Sequence, residues 1–154
     1  KFGVFDMNGN EKLKAENDQI METKVYNFIF KRNGKCYFSP SNGDEVFKNG
    51  VDTAFLFKNV QHQDDHGVII YKIGTKYGVH RPNLQYTEAL FDDIYEIHGD
   101  YLLIEIDRKL GLYDIKRKTY ILNAEYNGIF FKSKDDVTII KNDKLQKISI
   151  FNSK

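Results

Sequence analysis

The chain has 154 residues, which is long enough for one domain with a hydrophobic core. Its 23 basic and 22 acidic side chains give a formal net charge of +1, so it lacks the charge excess that is typical of proteins that bind nucleic acids or membrane surfaces. Its single cysteine excludes an intramolecular disulfide and a cysteine-based zinc site, and no apolar run approaches the roughly 18 residues of a membrane helix. Twelve phenylalanines and ten tyrosines against four alanines favour strands over helices.

Along the chain, a lysine followed by an apolar residue and a glycine recurs at a nearly constant interval. It stands at Lys1–Gly3, Lys76–Gly78 and Lys109–Gly111, and degenerate copies without the glycine start at Lys35 and Lys144. Successive starts are separated by 34, 41, 33 and 35 residues. Such a period is typical of a repeat protein in which each unit is one supersecondary element.

A second mark falls in the same phase. An alanine precedes an isoleucine by five residues at Ala15, Ala89 and Ala124, which places three of the four alanines in one slot. Ala54 falls later in its unit, so we expect the second unit to be distorted. The predicted units are residues 1–34, 35–75, 76–108 and 109–143, followed by a remnant at 144–154.

Each unit is predicted to contain about four short strands. The clearest copy has strand patterns at Leu110–Ile115, Thr119–Leu122, Gly128–Lys132 and Val137–Lys141. The pair Asn33-Gly34 and the triplet His98-Gly99-Asp100 predict hairpin turns. We therefore expect an all-β fold of tandem antiparallel β-meander repeats of about 34 residues, stacked as an open array or closed into a small propeller-like ring.

These residues resemble a known family of repeats. Lys-aromatic-Gly, two apolar residues with Asp, a turn, and Ala-Glu-Tyr-Asn-x-Ile are similar to the bacterial WG (KWG) repeat, and the best matches pair Leu110-Gly111 with Tyr126-Asn127 and Tyr77-Gly78 with Phe91-Asp92. Phe2, Tyr77 and Leu110 stand where the family has tryptophan, so the resemblance is to a divergent WG repeat protein. It covers nearly the whole chain, and it implies a structural repeat of bacterial, often envelope-associated proteins without a reaction of its own.

The slot after the repeat lysine is expected to be a core position. Phe2, Tyr77 and Leu110 occupy it, and Cys36 occupies it in the second unit. A free cysteine behaves as a small buried hydrophobe, so we expect Cys36 to pack in the core rather than to act as a nucleophile.

The repeat glycines Gly3, Gly78 and Gly111 are predicted to lie inside strands. Glycine at such a place usually marks a bulge or the close approach of another group. We expect an aromatic ring, such as that of Tyr126 or Phe91, to lie over this position.

Clusters of chemically active side chains are few. His62 and His66 would share one face of a helix and could bind zinc there, but strand and loop are predicted, so we expect no metal and no cofactor. The acidic pairs at Asp64, Asp92 and Asp135 are expected to serve turns rather than a glycosidase site. The sequence contains no Walker-type or Gly-x-Gly-x-x-Gly phosphate-binding loop.

The second unit carries an insertion, and insertions in repeat proteins map to loops on one face. We therefore predict a partner-binding patch on this unit. Its aromatic anchors and polar loop residues are Phe55, Phe57, His62, Asp64, Asp65 and His66.

Taken together, these features predict a non-catalytic protein–protein interaction module, one version of which is an immunity-type inhibitor that neutralises a toxin domain. The alternative is a repeat protein that binds carbohydrate or the cell envelope, and a hydrolase is the third hypothesis. The partner is expected to be a protein, with no nucleic acid and no membrane insertion, in a bacterial cytoplasm or cell envelope. A start at Lys1 without methionine predicts a processed chain or a piece of a longer one.

Overall fold

A computed structural model describes residues 1–23, 27–40, 46–57, 68–81, 87–133 and 136–150. These residues form fifteen strands and no helix. In chain order the strands are β1 (Phe2–Phe5), β2 (Glu11–Asn17), β3 (Gln19–Thr23), β4 (Asn27–Arg32), β5 (Lys35–Pro40), β6 (Thr53–Phe57), β7 (Val68–Ile73), β8 (Lys76–His80), β9 (Asp93–His98), β10 (Tyr101–Ile106), β11 (Lys109–Asp114), β12 (Thr119–Tyr126), β13 (Gly128–Phe131), β14 (Asp136–Lys141) and β15 (Lys144–Ser149).

The strands pair only with neighbours in sequence. The sheets are β1-β2, β3-β4-β5, β6-β7-β8, β9-β10-β11-β12 and β13-β14-β15, and every pair is antiparallel. The all-β meander prediction is thus confirmed, and the strand pairing is that of an open series of meanders. The last strand, β15, pairs with β14 and so completes the sheet of its neighbour.

One hydrogen bond recurs wherever one meander passes into the next. An amide there donates across the new sheet at 2.7–2.9 Å, and the donor and acceptor pairs are Asp18–Lys31, Asp52–Lys72, Asp92–Glu105 and Asn127–Ile140. The sequence repeat therefore has a structural counterpart. This recurring hydrogen bond also corrects the place of Ala54 in the repeat. Ala54 follows Asp52 by two residues, as Ile20 follows Asp18, and therefore occupies the isoleucine slot of the second unit.

Three of these donor residues, which we call the corner aspartates, also fix a hairpin turn of the same sheet. The carboxylates of Asp18, Asp52 and Asp92 accept hydrogen bonds from the backbone amides of Asn33, Gly74 and Asp107, at 2.9, 2.7 and 2.8 Å. Asp18 also pairs with Lys1, and Asp52 with Lys35. These bonds to lysine and amide hold the pKa of both carboxyls below the ordinary value.

Each of these turns needs a left-handed backbone. Asn33 and Gly34 have φ values of 52° and 77°, as the Asn-Gly signal predicts. The equivalent turns at Asp107-Arg108 and Asn142-Asp143 also have positive φ, from 50° to 61°, without any glycine. These two turns carry no Asn-Gly or Asp-Gly pair, but they precede the repeat lysine as Asn33-Gly34 does.

The chain divides into two compact units, residues 1–89 and 90–154. In the first unit, two sheets enclose a buried cluster of Ile29, Cys36, Phe38, Val51, Ala54, Ile69 and Tyr71. In the second unit, two sheets enclose Tyr101, Leu103, Leu112, Ile129, Val137, Ile139 and Ile150. Each sheet is too small to bury an apolar face by itself, so its neighbour covers it.

The predicted core slot is buried in only one of its copies. Cys36 is buried as expected, whereas Tyr77 and Leu110 are only half-buried. Phe2 is 59% exposed, which contradicts the prediction. The reason is that β1 belongs to a sheet of only two strands, which offers Phe2 little apolar surface on which to pack.

The repeat glycines do mark close approaches. A Cβ atom on Gly111 would lie 3.0 Å from the backbone nitrogen of Ala124 and from the carbonyl oxygen of Leu122, on the neighbouring strand. Gly3 meets the backbone of β2 in the same way. The expectation of an aromatic ring is correct only for Gly78, where the group is Tyr71 rather than Tyr126 or Phe91.

Replacing Gly111 by valine is therefore expected to lower the free energy of unfolding by about 2–3 kcal/mol, because the new side chain meets fixed backbone. Gly128→Val is the matched control, since a Cβ there meets the ends of the Phe130 and Ile140 side chains, which can move. Urea titration of both variants measures the difference. Equal losses would show that contact with backbone does not govern the cost.

Candidate interaction surface

The predicted patch begins on β6, an edge strand of its sheet. Ala54 and Leu56 point into the core of the first unit, so the alternation of the strand places Phe55 and Phe57 together on the opposite face. Phe55 is 47% exposed and Phe57 is half-buried. The structure therefore brings these two predicted residues side by side on an accessible surface.

The polar members of the predicted patch, His62, Asp64, Asp65 and His66, lie in segment 58–67, outside the described residues. That segment joins β6 to β7. The insertion thus falls in the first hairpin of its sheet, directly after Phe57. The equivalent segments after β3 and β9 are residues 24–26 and 99–100, which are much shorter.

Phe55 belongs to a set of equivalent exposed residues that the sequence analysis missed. The third residue of β3, β6, β9 and β13 is a large, exposed apolar or aromatic side chain in each case. We call these four residues the edge anchors. They are Met21, Phe55, Tyr95 and Phe130, with exposed fractions of 37%, 47%, 49% and 54%.

The geometry that presents the edge anchors is the same in each sheet. Every edge anchor follows the residue of the isoleucine slot, which is buried at Ala54, Ile94 and Ile129 and half-buried at Ile20. Every one also lies on a strand at the edge of its sheet. The slot residue fixes the strand on the core, so the next side chain must point to the other face. For three of the four edge anchors the sequence contains a signal, since Met21, Tyr95 and Phe130 each follow an Ala-x-x-x-x-Ile motif.

Tyr95 is held more firmly than its equivalents. A β-bulge between β9 and β10 makes it the unpaired extra residue of its strand. Its hydroxyl donates a hydrogen bond of 2.7 Å to the Glu105 carboxylate, and this bond raises the pKa of Tyr95 to about 12. The ring is therefore oriented by a charged partner while about half of its surface remains open to solvent.

The remaining chemical candidates have structural partners where they are described. Asp92 accepts the amide of Asp107, and Asp93 accepts the amide of Ile94 at 2.8 Å. Cys36 is buried, with its sulfur 3.9 Å from the carbonyl oxygen of Asp52. Within the described ranges, no three His, Cys, Asp or Glu side chains gather as a metal site would require.

In the part of the chain that the structure describes, no helix is long and apolar enough to cross a membrane. Compared with family models and with curated proteins, the chain matches none.

Proposed function

We propose that the chain is a non-catalytic protein-binding module of the WG-repeat type, and that it binds its partner through the edge anchors. The observation that carries the proposal is that a large exposed side chain occupies the same position in four sheets, always on an edge strand. Scattered exposed hydrophobics are ordinary, but recurrence at one structural position is typical of a surface that is used.

The chemistry of the edge anchors suits a protein partner. Aromatic side chains such as Phe55, Tyr95 and Phe130 supply much of the binding energy in protein interfaces, because they bury a large area with few rotatable bonds. An edge strand also offers backbone groups to which an incoming strand can add. The two features lie on the same strands here, so a partner strand laid along an edge would contact the anchors.

Serine substitutions at the edge anchors test this proposal. The wild-type chain, immobilised, first captures its partner from a lysate of the organism that encodes it, and the purified partner is then titrated against variants. We expect Phe55→Ser and Phe130→Ser each to weaken binding about tenfold or more.

Ile73→Ser and Leu90→Ser are the controls, because these residues are 51% and 43% exposed but stand outside the anchor position. Their dissociation constants should equal the wild-type value. Equal losses in anchor and control variants, or no loss in any of them, would contradict the proposal.

The insertion after Phe57 is tested separately, by deletion of Gln61–His66 and closure with two glycines. We expect the variant to fold and to lose affinity for the partner, because the deleted residues begin only four positions after Phe57 in the chain. Unchanged affinity would remove the insertion from the binding surface and leave the edge anchors alone. In the immunity-type version of the proposal, the captured partner is a toxin domain that the chain inhibits at equal molar ratio.

Carbohydrate binding is the second candidate, and Tyr95 is the observation that favours it. An exposed tyrosine ring fixed by Glu105 provides a flat apolar surface next to a carboxylate, which is the combination that sugar rings and hydroxyls require. Binding on a glycan array that Tyr95→Ser abolishes and Phe55→Ser preserves would favour this candidate over the protein-binding one.

A further inference from the structure

One of the edge anchors, Tyr95, forms an exposed pair with a carboxylate on the neighbouring strand. Its hydroxyl donates the 2.7 Å hydrogen bond to Glu105, and 49% of the tyrosine remains exposed on the edge strand β9. Asp93 lies directly opposite Glu105, and its charge also acts on Tyr95. An aromatic ring that is open to solvent is therefore flanked by two carboxyl groups.

No lysine or arginine among the described residues offsets the charge of this pair. Asp93, Glu96 and Glu105 form no ion pair with such a residue in the described ranges, and Glu96 instead meets the ring of His98 at 2.9 Å. Within the same ranges, no cation lies over the ring of Tyr95. The face of this ring is therefore left to the solvent.

The sequence around the pair has the same segregation of charge. Residues 82–107 contain seven acidic side chains and none of the 23 lysines and arginines of the chain. Strands β9 and β10 lie entirely within this stretch. Because the whole chain is nearly neutral, the negative charge is local, and it attracts cations to the strands that present Tyr95.

Elsewhere in the second unit the chain completes an equivalent pair with its own cation. Tyr126 hydrogen-bonds to the carboxylate of Glu125. The Lys141 ammonium lies 2.8 Å from that carboxylate and 5.5 Å from the centre of the Tyr126 ring. One ammonium group thus meets both the anion and the face of the ring, which is the arrangement of Tyr95 and Glu105 with a cation added.

The first unit contains a related arrangement with arginine. The Arg32 guanidinium lies 4.5 Å from the centre of the Tyr37 ring and 2.7 Å from the carboxylate of Glu16. A cation within about 6 Å of the centre of an aromatic ring is attracted by the negative face of the ring, and a carboxylate at hydrogen-bond distance adds to the attraction. The fold therefore uses a ring, a carboxylate and a cation together, whereas at Tyr95 the described residues supply only the first two.

We propose that Tyr95 and Glu105 bind a lysine or arginine side chain of the partner protein, in the way that Tyr126 and Glu125 hold Lys141. The inference rests on the proposed function, because it names the chemistry that the partner presents to one of the edge anchors. The charge of the surrounding stretch favours a basic segment of the partner that runs along β9.

The test uses the full chain and synthetic peptides, so it does not depend on capture of the partner. A hexapeptide of alternating arginine and threonine, blocked at both ends, is titrated against the chain and followed by NMR shifts. The same peptide with citrulline, the neutral isostere of arginine, is the second arm. We expect saturable shifts at Tyr95, Glu105 and along β9 with the arginine peptide, and binding about fivefold weaker or less with the citrulline peptide.

Substitutions then separate the ring from the carboxylate. Glu105→Gln, which removes the charge and keeps the shape, should weaken binding of the arginine peptide about threefold. Tyr95→Leu, which keeps an apolar side chain without an aromatic face, should also weaken it about threefold. Glu125→Gln is the matched control and should leave the affinity unchanged, because Lys141 already occupies that pair. Lys141→Gln should open a second site, with its own shifts at Tyr126.

The melting temperature of each variant checks that the sheets are intact. Equal binding of the arginine and citrulline peptides, equal losses in Glu105→Gln and Glu125→Gln, or no saturable shift would overturn the proposal. Shifts of the Tyr95 ring with methyl glucoside and none with the arginine peptide would also overturn it, and would support the carbohydrate candidate. The edge-anchor proposal is judged separately, by Phe55→Ser and Phe130→Ser against the captured partner, so either proposal can fail without the other.

Discussion

Replacing Leu112 by alanine is expected to lower the free energy of unfolding by about 2–5 kcal/mol. Leu112 is fully buried in the core of the second unit, where residues of two sheets, including Ile129 and Val137, surround it. Removal of the isobutyl group takes away its contacts with both sheets and leaves a cavity that the paired strands are too constrained to close.

Leu110→Ala is the matched control on the same strand. Leu110 carries the same side chain but is only half-buried, so truncation should cost about 1 kcal/mol. Denaturant titration of both variants, with the slope of the transition compared, measures the difference. A cost at Leu110 as large as that at Leu112 would show that position in the repeat, rather than burial, determines the loss.

The repeat and its strands were predictable because they depend on local sequence. Strand alternation and the residues of the turns are expressed within a few positions, as at Asn33-Gly34, and the period of the repeat then places the remaining strands. Even the distorted second unit follows the rule once the corner at Asp52 is recognised, since Ala54 then takes the isoleucine slot.

Burial was less predictable, because it depends on which strand lies alongside. Phe2 and Cys36 occupy the same slot, yet one is 59% exposed and the other 3%. The two strands have different neighbours. β1 pairs only with β2, whereas β5 pairs with β4 and is also bridged to Val51 through Cys36. A slot assignment fixes the face of a side chain, but only the assembled sheets decide what covers that face.

The candidate surface was half predictable for the same reason. Phe55 was found through the insertion beside it, whereas its equivalents Met21, Tyr95 and Phe130 have no such neighbour and look like core residues in a strand pattern. Their position after Ala-x-x-x-x-Ile marks them as equivalent, but only the sheet order shows that they lie on edge strands. The insertion therefore follows one copy of a position that four of the five described sheets present.

His80 makes the stability of the first unit depend on pH. Its ring packs against Phe38 and Phe47, with centroids 4.7 and 6.3 Å away, and its Nδ1 has no hydrogen-bond partner among the described residues. Burial among these apolar rings disfavours the charged imidazolium and lowers the pKa of His80 to about 4. The unfolded chain, in which this ring is solvated, keeps a pKa near 6.5.

The sign of the effect follows from these two pKa values. Above pH 6.5 the ring is neutral in both states, so the stability is complete. Between pH 6.5 and 4 the unfolded chain binds a proton that the folded chain excludes, and the free energy of unfolding should fall by about 2–3 kcal/mol over this interval. The carboxyls of Asp18 and Asp52, with pKa values held below normal, add their own losses at lower pH.

His80→Phe isolates the contribution of the histidine. The equivalent residue in β11 is Tyr113, which is also buried, so the position accepts an aromatic ring. The variant should equal or exceed the wild-type stability at pH 7, because it removes a buried nitrogen without a partner. Chemical denaturation of both proteins is measured at steps from pH 7.5 to 4, and the loss of stability caused by the carboxyl groups, which both proteins share, is removed by subtraction. The difference between them should grow steadily below pH 6.5, and parallel curves would show that His80 is solvated in the folded protein and has an ordinary pKa.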